Sequence, residues 1–450
     1  MVVCRLSQDL LIPSKARYPD RNNKPGPDYT GVNASMNPVV VIGAGIVGVS
    51  AAIWLQRKGV DVVLLDKEGP ASGTSFGNAG VLAAASVVPV TVPGLIGKAP
   101  GMLFDSRQPL FLNWSYFPRL LPWLPRYLSH CNPKQVNRIA TALAPILRDC
   151  LADHRALAAG TGAEKYISAA DYVYAYKNKD HFDKDSFAWD VRQQHGFEWT
   201  EHDAQSYRRY DPAFGEEVGY AACVHNHGRI SDPGEYVKTL AAHFESNGGQ
   251  IVRAELQDFV IRDKALFAIA TSESTIDCDK AVVATGAWSK ALLQKLGLNI
   301  PLESERGYHI ELYEPTVMPA MPTMIAAGKF VMTPMDGRLR MAGMVEFAGL
   351  KAKANKQPLE FLRRYLAELL PDLSWTESRE WLGHRPAPSD SVPLIGELPG
   401  SKGVFVGFGH QHVGLSGGAR TGQLLSQLIC GEETGLNMEM YSPMRFRSKL

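Results

Sequence analysis

The chain has 450 residues, 45% of them hydrophobic and 21% charged, with a formal net charge of +1. This is enough apolar material for a large core, and the length allows about two to three domains. The near-zero charge excludes a global field that would gather nucleic acid or an anionic membrane, and no run of 18 apolar residues exists to cross a bilayer as a helix.

Residues 1–35 are rich in Pro, Asn and charge and read as a detached, disordered tail. Pro38 to Ile42 is a continuous apolar, β-branched run, the pattern of a strand buried on both faces. A glycine-rich turn follows at 43–48. Ile46 to Lys58 has helical spacing and ends at Gly59, and Val60 to Leu65 is a second strand. Together they form a β-α-β unit. Residues 69–80 are small and polar and read as a loop. The stretch 85–130 is rich in Pro, Leu and aromatics, and Arg138 to Ala159 reads as one long helix. Residues 165–230 lose the α/β rhythm, as do 300–350. Helices are expected at 235–247, 359–370 and 414–430, with strands in 249–262 and 275–284.

The fold expected is therefore α/β. A discontinuous Rossmann-like domain takes 36–130, 249–299 and 380–435. An inserted α+β domain, built on a mixed or antiparallel sheet, takes 131–248 and 300–379.

Gly43-Ala44-Gly45-Ile46-Val47-Gly48 is a G-x-G-x-x-G turn between that strand and helix, and Asp66 ends the next strand. Gly43 permits the tight turn, Gly45 admits a pyrophosphate to the backbone, and Gly48 lets the helix pack on the strand. The helix N-terminus offers free N–H groups to phosphate. The Asp66 carboxylate can accept adenosine ribose hydroxyls and repels a 2′-phosphate, which argues against NADP. An adenine dinucleotide follows from these residues; its identity does not. The six cysteines show neither C-x-x-C pairs nor metal-ligand spacing, and read as free thiols in a reducing compartment, with no metal site.

Six segments resemble the D-amino-acid-oxidase-type FAD oxidoreductases: VVVIGAGIVGVSAA (39–52), SGTSFGNAG (72–80), AVVATGAWS (281–289), RGYH (306–309), GHRPAPSDSVPLIG (383–396) and GFGHQHVGLSGG (407–418). Within that group the chain is similar to bacterial D-amino acid dehydrogenases of the small-subunit type, and more distantly to glycine and sarcosine oxidases. The resemblance implies FAD as the cofactor. It places Ile46, Val47, Lys67, Ser72, Thr74, Ser75, Asn78, Ala79 and Gly80 along it, with Leu256 near the adenine. Thr285, Gly286 and Trp288 resemble the turn that closes over the dinucleotide. Gly409, His412, Gly414, Leu415 and Ser416 resemble the segment facing the pyrimidine end of the flavin, where N–H groups stabilise negative charge.

The same resemblance assigns the substrate side. Arg385 matches the arginine that binds a substrate carboxylate, a role suited to a bidentate guanidinium. Tyr308 and Arg306 are further candidates around that carboxylate, and Arg229 is another. His410 and Gln411 are expected on the flavin face, with a histidine there available for the amine proton. The implied reaction is oxidative deamination of a D-amino acid: hydride from Cα to flavin N5, then hydrolysis of the imino acid to a 2-oxo acid. A quinone-type acceptor is the partner expected of a dehydrogenase. The aromatic stretch 109–128 (Phe111, Trp114, Tyr116, Phe117, Trp123 and Tyr127) reads either as core packing or as a peripheral contact on the inner face of the cell membrane in an otherwise cytoplasmic protein. Two alternatives stay open. One is an oxygen-using oxidase of glycine, sarcosine or a cyclic imino acid such as hydroxyproline. The other is a non-catalytic FAD-binding subunit.

Overall fold

The computed structural model describes residues 37–97, 101 and 109–449. The segment 1–35, with Cys4, lies outside them.

The first sheet has six strands in the order β18-β19-β12-β1-β2-β8. These are β18 (Leu394–Glu397), β19 (Val404–Phe408), β12 (Lys280–Val283), β1 (Val39–Ile42), β2 (Val62–Asp66) and β8 (Gln250–Arg253). All neighbours are parallel except β18 and β19. The strands come from three separated stretches of chain, 39–66, 250–283 and 394–408, so the sheet is discontinuous in sequence, as expected. β1 is buried along its whole length: Val39 and Val41 share a core with α1 on one face, and Val40 and Ile42 share another with Phe259, Leu266 and Ile269 on the other. Helix α1 (Ile46–Arg57) crosses from β1 to β2. It buries Val49, Ala51, Ile53 and Leu55 at no more than 1% exposure, a gain of roughly 1.5–3 kcal/mol for each large aliphatic side chain.

The second sheet has ten strands, ordered β17-β13-β16-β15-β14-β5-β7-β3, with β4 beside β16 and β6 beside β7. Its long members are β5 (Ile167–Tyr176), β7 (Tyr220–Ile230), β13 (Leu302–Tyr313), β16 (Arg338–Phe347) and β17 (Glu377–Pro388), with the shorter β6 (Trp199–Asp203), β14 (Thr323–Ile325) and β15 (Phe330–Met335). Most pairs are antiparallel; β14 with β5 and β16 with β4 are parallel. Two short strands, β3 (Val81–Leu82) and β4 (Leu110–Leu112), join this sheet, although the sequence grouped them with the nucleotide-binding part. A separate antiparallel sheet of β9 (Leu256–Arg262), β10 (Ala265–Thr271) and β11 (Thr275–Asp277), with β10 in the middle, follows β8.

The long helix expected over 138–159 is two helices, α2 (Pro133–Leu147) and α3 (Cys150–Ala158). Pro145 sits inside α2 and cannot donate to its ladder, and Asp149 leaves helical geometry at φ −103°, ψ 23°. Both helices share one apolar core with α1 and with α7 (Gly414–Ile429). Helices also form at α4 (Ser186–Gln194), α5 (Pro233–Ser246) and α6 (Gln357–Leu369). Among the described residues no helix is long and apolar enough to cross a membrane. Cys150, Cys223 and Cys278 are buried free thiols; Cys131 and Cys430 are free and half-buried.

Candidate active site

Two cavities share a wall formed by Thr74, Asn78, Trp381, Gly383 and Gln411. The first, of about 380 Å3, is a groove running from Asp66, Glu255 and Leu256 to His410, Gly414 and Leu415. The second, of about 670 Å3, lies over the ten-stranded sheet.

The groove is made largely of backbone. Gly43 has φ +106°, and a Cβ there would stand 2.6 Å from the Ala284 carbonyl oxygen. A Cβ on Gly48 would meet the Gly43 carbonyl oxygen at 1.8 Å, so Gly48 serves helix packing and does not line the groove. No side chain of its own N-cap residue caps α1; the Ser75 hydroxyl accepts from Ile46 N at 3.0 Å instead. Asp66 accepts from Ala44 N at 2.8 Å and from Glu68 N and Gly69 N at 2.9 Å. Its carboxylate therefore sits against the glycine turn at the groove wall. Thr74 donates to the His384 carbonyl at 2.9 Å and Ser72 to the Gly69 carbonyl at 2.9 Å.

Ile46, Val47, Lys67, Asn78, Thr285, Gly286 and Trp288 also line the groove. Six of the expected cofactor contacts do not. Gly48 is accounted for above. Gly409 forms the turn after β19, with φ +93° and Pro388 against it. Gly80 turns at φ +75° against Ile230. Ser416 is bound into the protein, accepting from Ala83 N at 2.9 Å and donating to the Val81 carbonyl at 3.2 Å. Ala79, His412 and Ser416 border the second cavity. Sequence reading missed Glu255, Trp381, Gly383 and His384 in the groove. The period-2 alternation W-x-G-x-R over 381–385 was a usable signal for the last strand.

The loop 76–78 is held by three consecutive carbonyls. Arg340 donates to the Phe76 carbonyl at 3.1 Å and to the Asn78 carbonyl, and His309 Nδ1 donates to the Gly77 carbonyl at 3.1 Å. Glu311 anchors Arg340 at 2.7 Å and Arg338 at 2.5 Å. Burial works to raise the Glu311 carboxyl, but Arg340 and Arg338 overcome it and hold it down to about 2. Burial, with Arg340 beside it, lowers His309 to about 3, so its ring is neutral. That ring stacks on Trp381 at 5.1 Å.

In the second cavity the pairing of β13 with β17 decides which side chains meet. The register sets Glu305 opposite Arg385, Gly307 opposite Gly383 and His309 opposite Trp381. A Cβ on Gly307 would lie 2.3 Å from Arg385 Nη2, so the missing side chain lets the guanidinium lie across the sheet. Arg385 Nη1 donates to Glu305 at 3.1 Å and to the Met344 carbonyl at 2.7 Å, and Nη2 donates to the Gly343 carbonyl at 3.0 Å. Its Nε–H and second Nη2–H make no bond among the described residues. These two donors form one edge of the guanidinium fork. Burial raises the Glu305 carboxyl against the pull of Arg385.

Arg306 and Tyr308 do not converge with Arg385. Successive strand residues face opposite sides of the sheet, and the side chains of both end at Glu346. Arg306 Nε lies 3.2 Å from its carboxylate, and the Tyr308 hydroxyl donates to it at 2.6 Å. Tyr308 borders the cavity, but its hydroxyl is committed to Glu346 and to Asn355 N at 3.0 Å. Arg229 borders neither cavity and donates to Ser168 Oγ at 3.1 Å and to the Pro334 carbonyl at 3.4 Å.

Gln411 borders both cavities in a left-handed conformation, φ +47°. A non-glycine residue held there costs of order 1–3 kcal/mol and marks a constrained site. His410 lines the groove; burial lowers it to about 4, and its Nε2 bonds Thr421 Oγ1 at 2.8 Å. His412 is enclosed by protein yet open to the second cavity, and both that enclosure and Arg385 disfavour its charged form. The aromatic stretch divides. Trp123 and Tyr127 stack at 4.4 Å in a buried cluster, whereas Trp114 and Leu121 are exposed. Residues 98–100 and 102–108, just before this stretch, lie outside the described set.

A parallel β-α-β turn with an acidic residue closing its second strand, opening into a cavity over a second sheet, defines a dinucleotide-dependent oxidoreductase. The family model described as "FAD dependent oxidoreductase" (DAO) matches residues 38–428, and the chain belongs to that family. FAD is its cofactor, and the backbone groove fits it. The chain is 39% identical over 415 residues to a D-amino-acid oxidase of Bradyrhizobium diazoefficiens, covering 91% of this chain and 98% of that protein. The fold is shared with a glycine oxidase from Geobacillus kaustophilus (21% identity, TM-score 0.70, 90% of this chain and 98% of that one). It is also shared with an L-proline dehydrogenase from P. horikoshii (18% identity, TM-score 0.70, 92% and 98%).

Proposed function

We propose that the protein oxidatively deaminates a D-amino acid. The observation that carries this reading is the free Nε/Nη2 edge of Arg385, two residues along β17 from Gly383, which borders both cavities. A substrate carboxylate accepts from both donors of that edge, a short, charge-assisted pair of bonds. Glu305 fixes the guanidinium from its other side. The substrate is then held at the junction of groove and cavity, with its α-carbon toward the groove. FAD, when bound, takes up the two electrons removed from the C–N bond. The chain itself supplies position, and alignment alone is worth several kcal/mol, by an order-of-magnitude estimate. The amine is oxidised in its neutral form, and His412, neutral and open to the cavity, is the proposed hydrogen-bond partner for that amine. The imino acid leaves and water hydrolyses it to the 2-oxo acid and ammonia. The D configuration rests on the relative at 39% identity.

The acceptor proposed for the reduced enzyme is of quinone type. One wall of the larger cavity is Leu95, Leu110, Leu112, Phe117, Leu120 and Leu124, and Ile96, Trp114 and Leu121 in the same segments are exposed. An apolar acceptor, and a peripheral membrane contact, suit that wall. The relative's name, an oxidase, favours oxygen as the second reading. Anaerobic bleaching of the flavin by a panel of D- and L-amino acids tests the reaction. No bleaching by any of them ends the proposal and leaves a non-catalytic FAD-binding subunit. Hydrogen peroxide formed per turnover, with and without an artificial quinone, separates the two acceptors.

A further inference from the structure

The larger cavity holds a second arginine that the proposed reaction does not use. Arg192, on α4, is 7% exposed and lines the cavity wall. Its guanidinium carbon lies 4.6 Å from the ring centres of both Tyr174 and Trp189, which themselves meet edge to face with centres 5.2 Å apart. Nε donates to the Ala85 carbonyl at 3.3 Å and Nη2 to the Tyr174 hydroxyl at 3.2 Å. Both acceptors are neutral. Nη1 makes no hydrogen bond among the described residues.

The other ionic groups on this wall are accounted for. Glu305 pairs with Arg385. Asp185 accepts from the Tyr176 hydroxyl at 3.3 Å and lies 3.8 Å from Lys329. Arg192 is thus the cavity-lining guanidinium with no carboxylate partner among the described residues. A buried cation without a counter-ion is costly, and a cavity that keeps one suits a ligand that supplies the anion. The two rings hold the group against the cavity wall and leave the Nη1 donors without a protein acceptor, which suits an anionic oxygen such as that of a carboxylate.

We propose that Arg192 is a specificity-determining residue that binds a second carboxylate, on the side chain of an acidic amino-acid substrate whose α-carboxylate is held by Arg385. This rests on the reaction proposed above. The enzyme then prefers an acidic D-amino acid to the amide of the same shape. Losing one charge-assisted hydrogen-bonded contact lowers kcat/KM by roughly ten- to hundredfold.

The test uses the flavin-loaded enzyme and compares D-glutamate with D-glutamine and D-aspartate with D-asparagine. The wild type should favour the acid in at least one pair by about tenfold or more. Arg192→Met should erase that preference through KM for the acid while leaving the amides within about threefold, and Arg192→Lys should keep part of it. Glutarate, a dicarboxylate that cannot be oxidised, should perturb the flavin spectrum at lower concentration than butyrate in the wild type but not in Arg192→Met. Oxidation of D-amino acids with no preference for the acid overturns this proposal and leaves the reaction standing. An Arg192→Met enzyme that folds and holds flavin but loses acid and amide alike overturns it too, since Arg192 would then serve every substrate. Oxidation of no amino acid removes both.

Discussion

The groove and the larger cavity share five residues of wall but are built by different means. The groove is a backbone object. Its shape comes from Gly43 and Gly45, with Gly48 packing α1 against their turn, from the open N-terminus of α1, and from the 69–80 loop. The cavity is a side-chain object. Charged groups carried on strands far apart in sequence give it its character, and those groups are buried in pairs: Glu305 with Arg385, Glu311 with Arg338 and Arg340. A site of the first kind should tolerate loss of side chains and fail when a Cβ is added. A site of the second kind should fail when one charge is removed.

The largest effect is expected in the cavity. Arg385→Ala removes the carboxylate fork and leaves Glu305, whose side chain is 2% exposed, without its cation. Breaking a buried pair from one side costs about 3–5 kcal/mol. Thermal unfolding should register that loss, and KM for amino acids should rise by about a hundredfold or more. The double substitution Arg385→Met with Glu305→Leu should restore much of the stability and none of the activity. Unchanged amino-acid kinetics in Arg385→Ala would remove Arg385 from substrate binding.

Next is an added methyl group in the groove. Gly48→Ala drives a Cβ into the Gly43 carbonyl at 1.8 Å, and overpacking of this kind costs about 1–3 kcal/mol. Flavin content, read as visible absorbance per protein, should fall sharply because the turn itself must move. A variant that keeps full flavin would show that the turn can shift without releasing the cofactor.

This difference in construction also explains what could be read from the chain. The nucleotide end of the groove comes from residues close together in the chain, so spacing marks it: Gly43 and Gly45, with Gly48 packing the helix behind them, then an acid closing the next strand. The cavity depends on registers that no local pattern encodes. Glu305 meets Arg385, 80 positions further along the chain, because β13 and β17 pair in that register. Arg306 and Tyr308, adjacent in the same motif, fall on the other face for the same reason. Arg192 carried no signal, since a lone arginine on a short helix reads as surface until Tyr174 and Trp189 are seen around it. The break after Leu147 was missed because an apolar helical period continued across Pro145.

A third expectation concerns the clamp that joins the two regions. Glu311 ordinarily titrates near 4.5 and is held at about 2 in the folded protein. A carboxyl lowered on folding contributes its stability above the unfolded value, and that contribution is lost as pH falls from 4.5 through 2. His309, lowered from 6.5 to about 3, acts in the same direction but earlier. Below pH 6.5 the unfolded chain takes a proton that the folded chain refuses. Stability measured by denaturant should therefore decline from pH 6.5 downward. Glu311→Gln should cost up to about 3 kcal/mol at pH 7 and flatten the part of the curve below 4.5. Flavin should also dissociate more readily, because Arg340 then holds the Phe76 and Asn78 carbonyls with no anchor behind it. A curve of unchanged slope below pH 4.5 in Glu311→Gln would place the acid sensitivity elsewhere.

The smallest effect is the one that bears most directly on the contrast. Lys67 lines the groove, and its ammonium lies 5.4 Å from the centre of the Trp288 ring, with the side chain 46% exposed. It is the kind of residue that charge-based reasoning assigns to a pyrophosphate. At an exposed site such a contact is worth about 0.5–1 kcal/mol, and an exposed cation is screened by salt. If the backbone carries the groove's affinity, Lys67→Ala should weaken flavin binding only about two- to fivefold, with a salt dependence close to that of the wild type. Titrating the flavin-free protein with FAD at two ionic strengths measures both. A loss beyond about tenfold, or one that disappears in high salt, would mean that a side-chain charge holds the dinucleotide. The groove would then belong with the cavity as a site made by charges, and the contrast between the two would not stand.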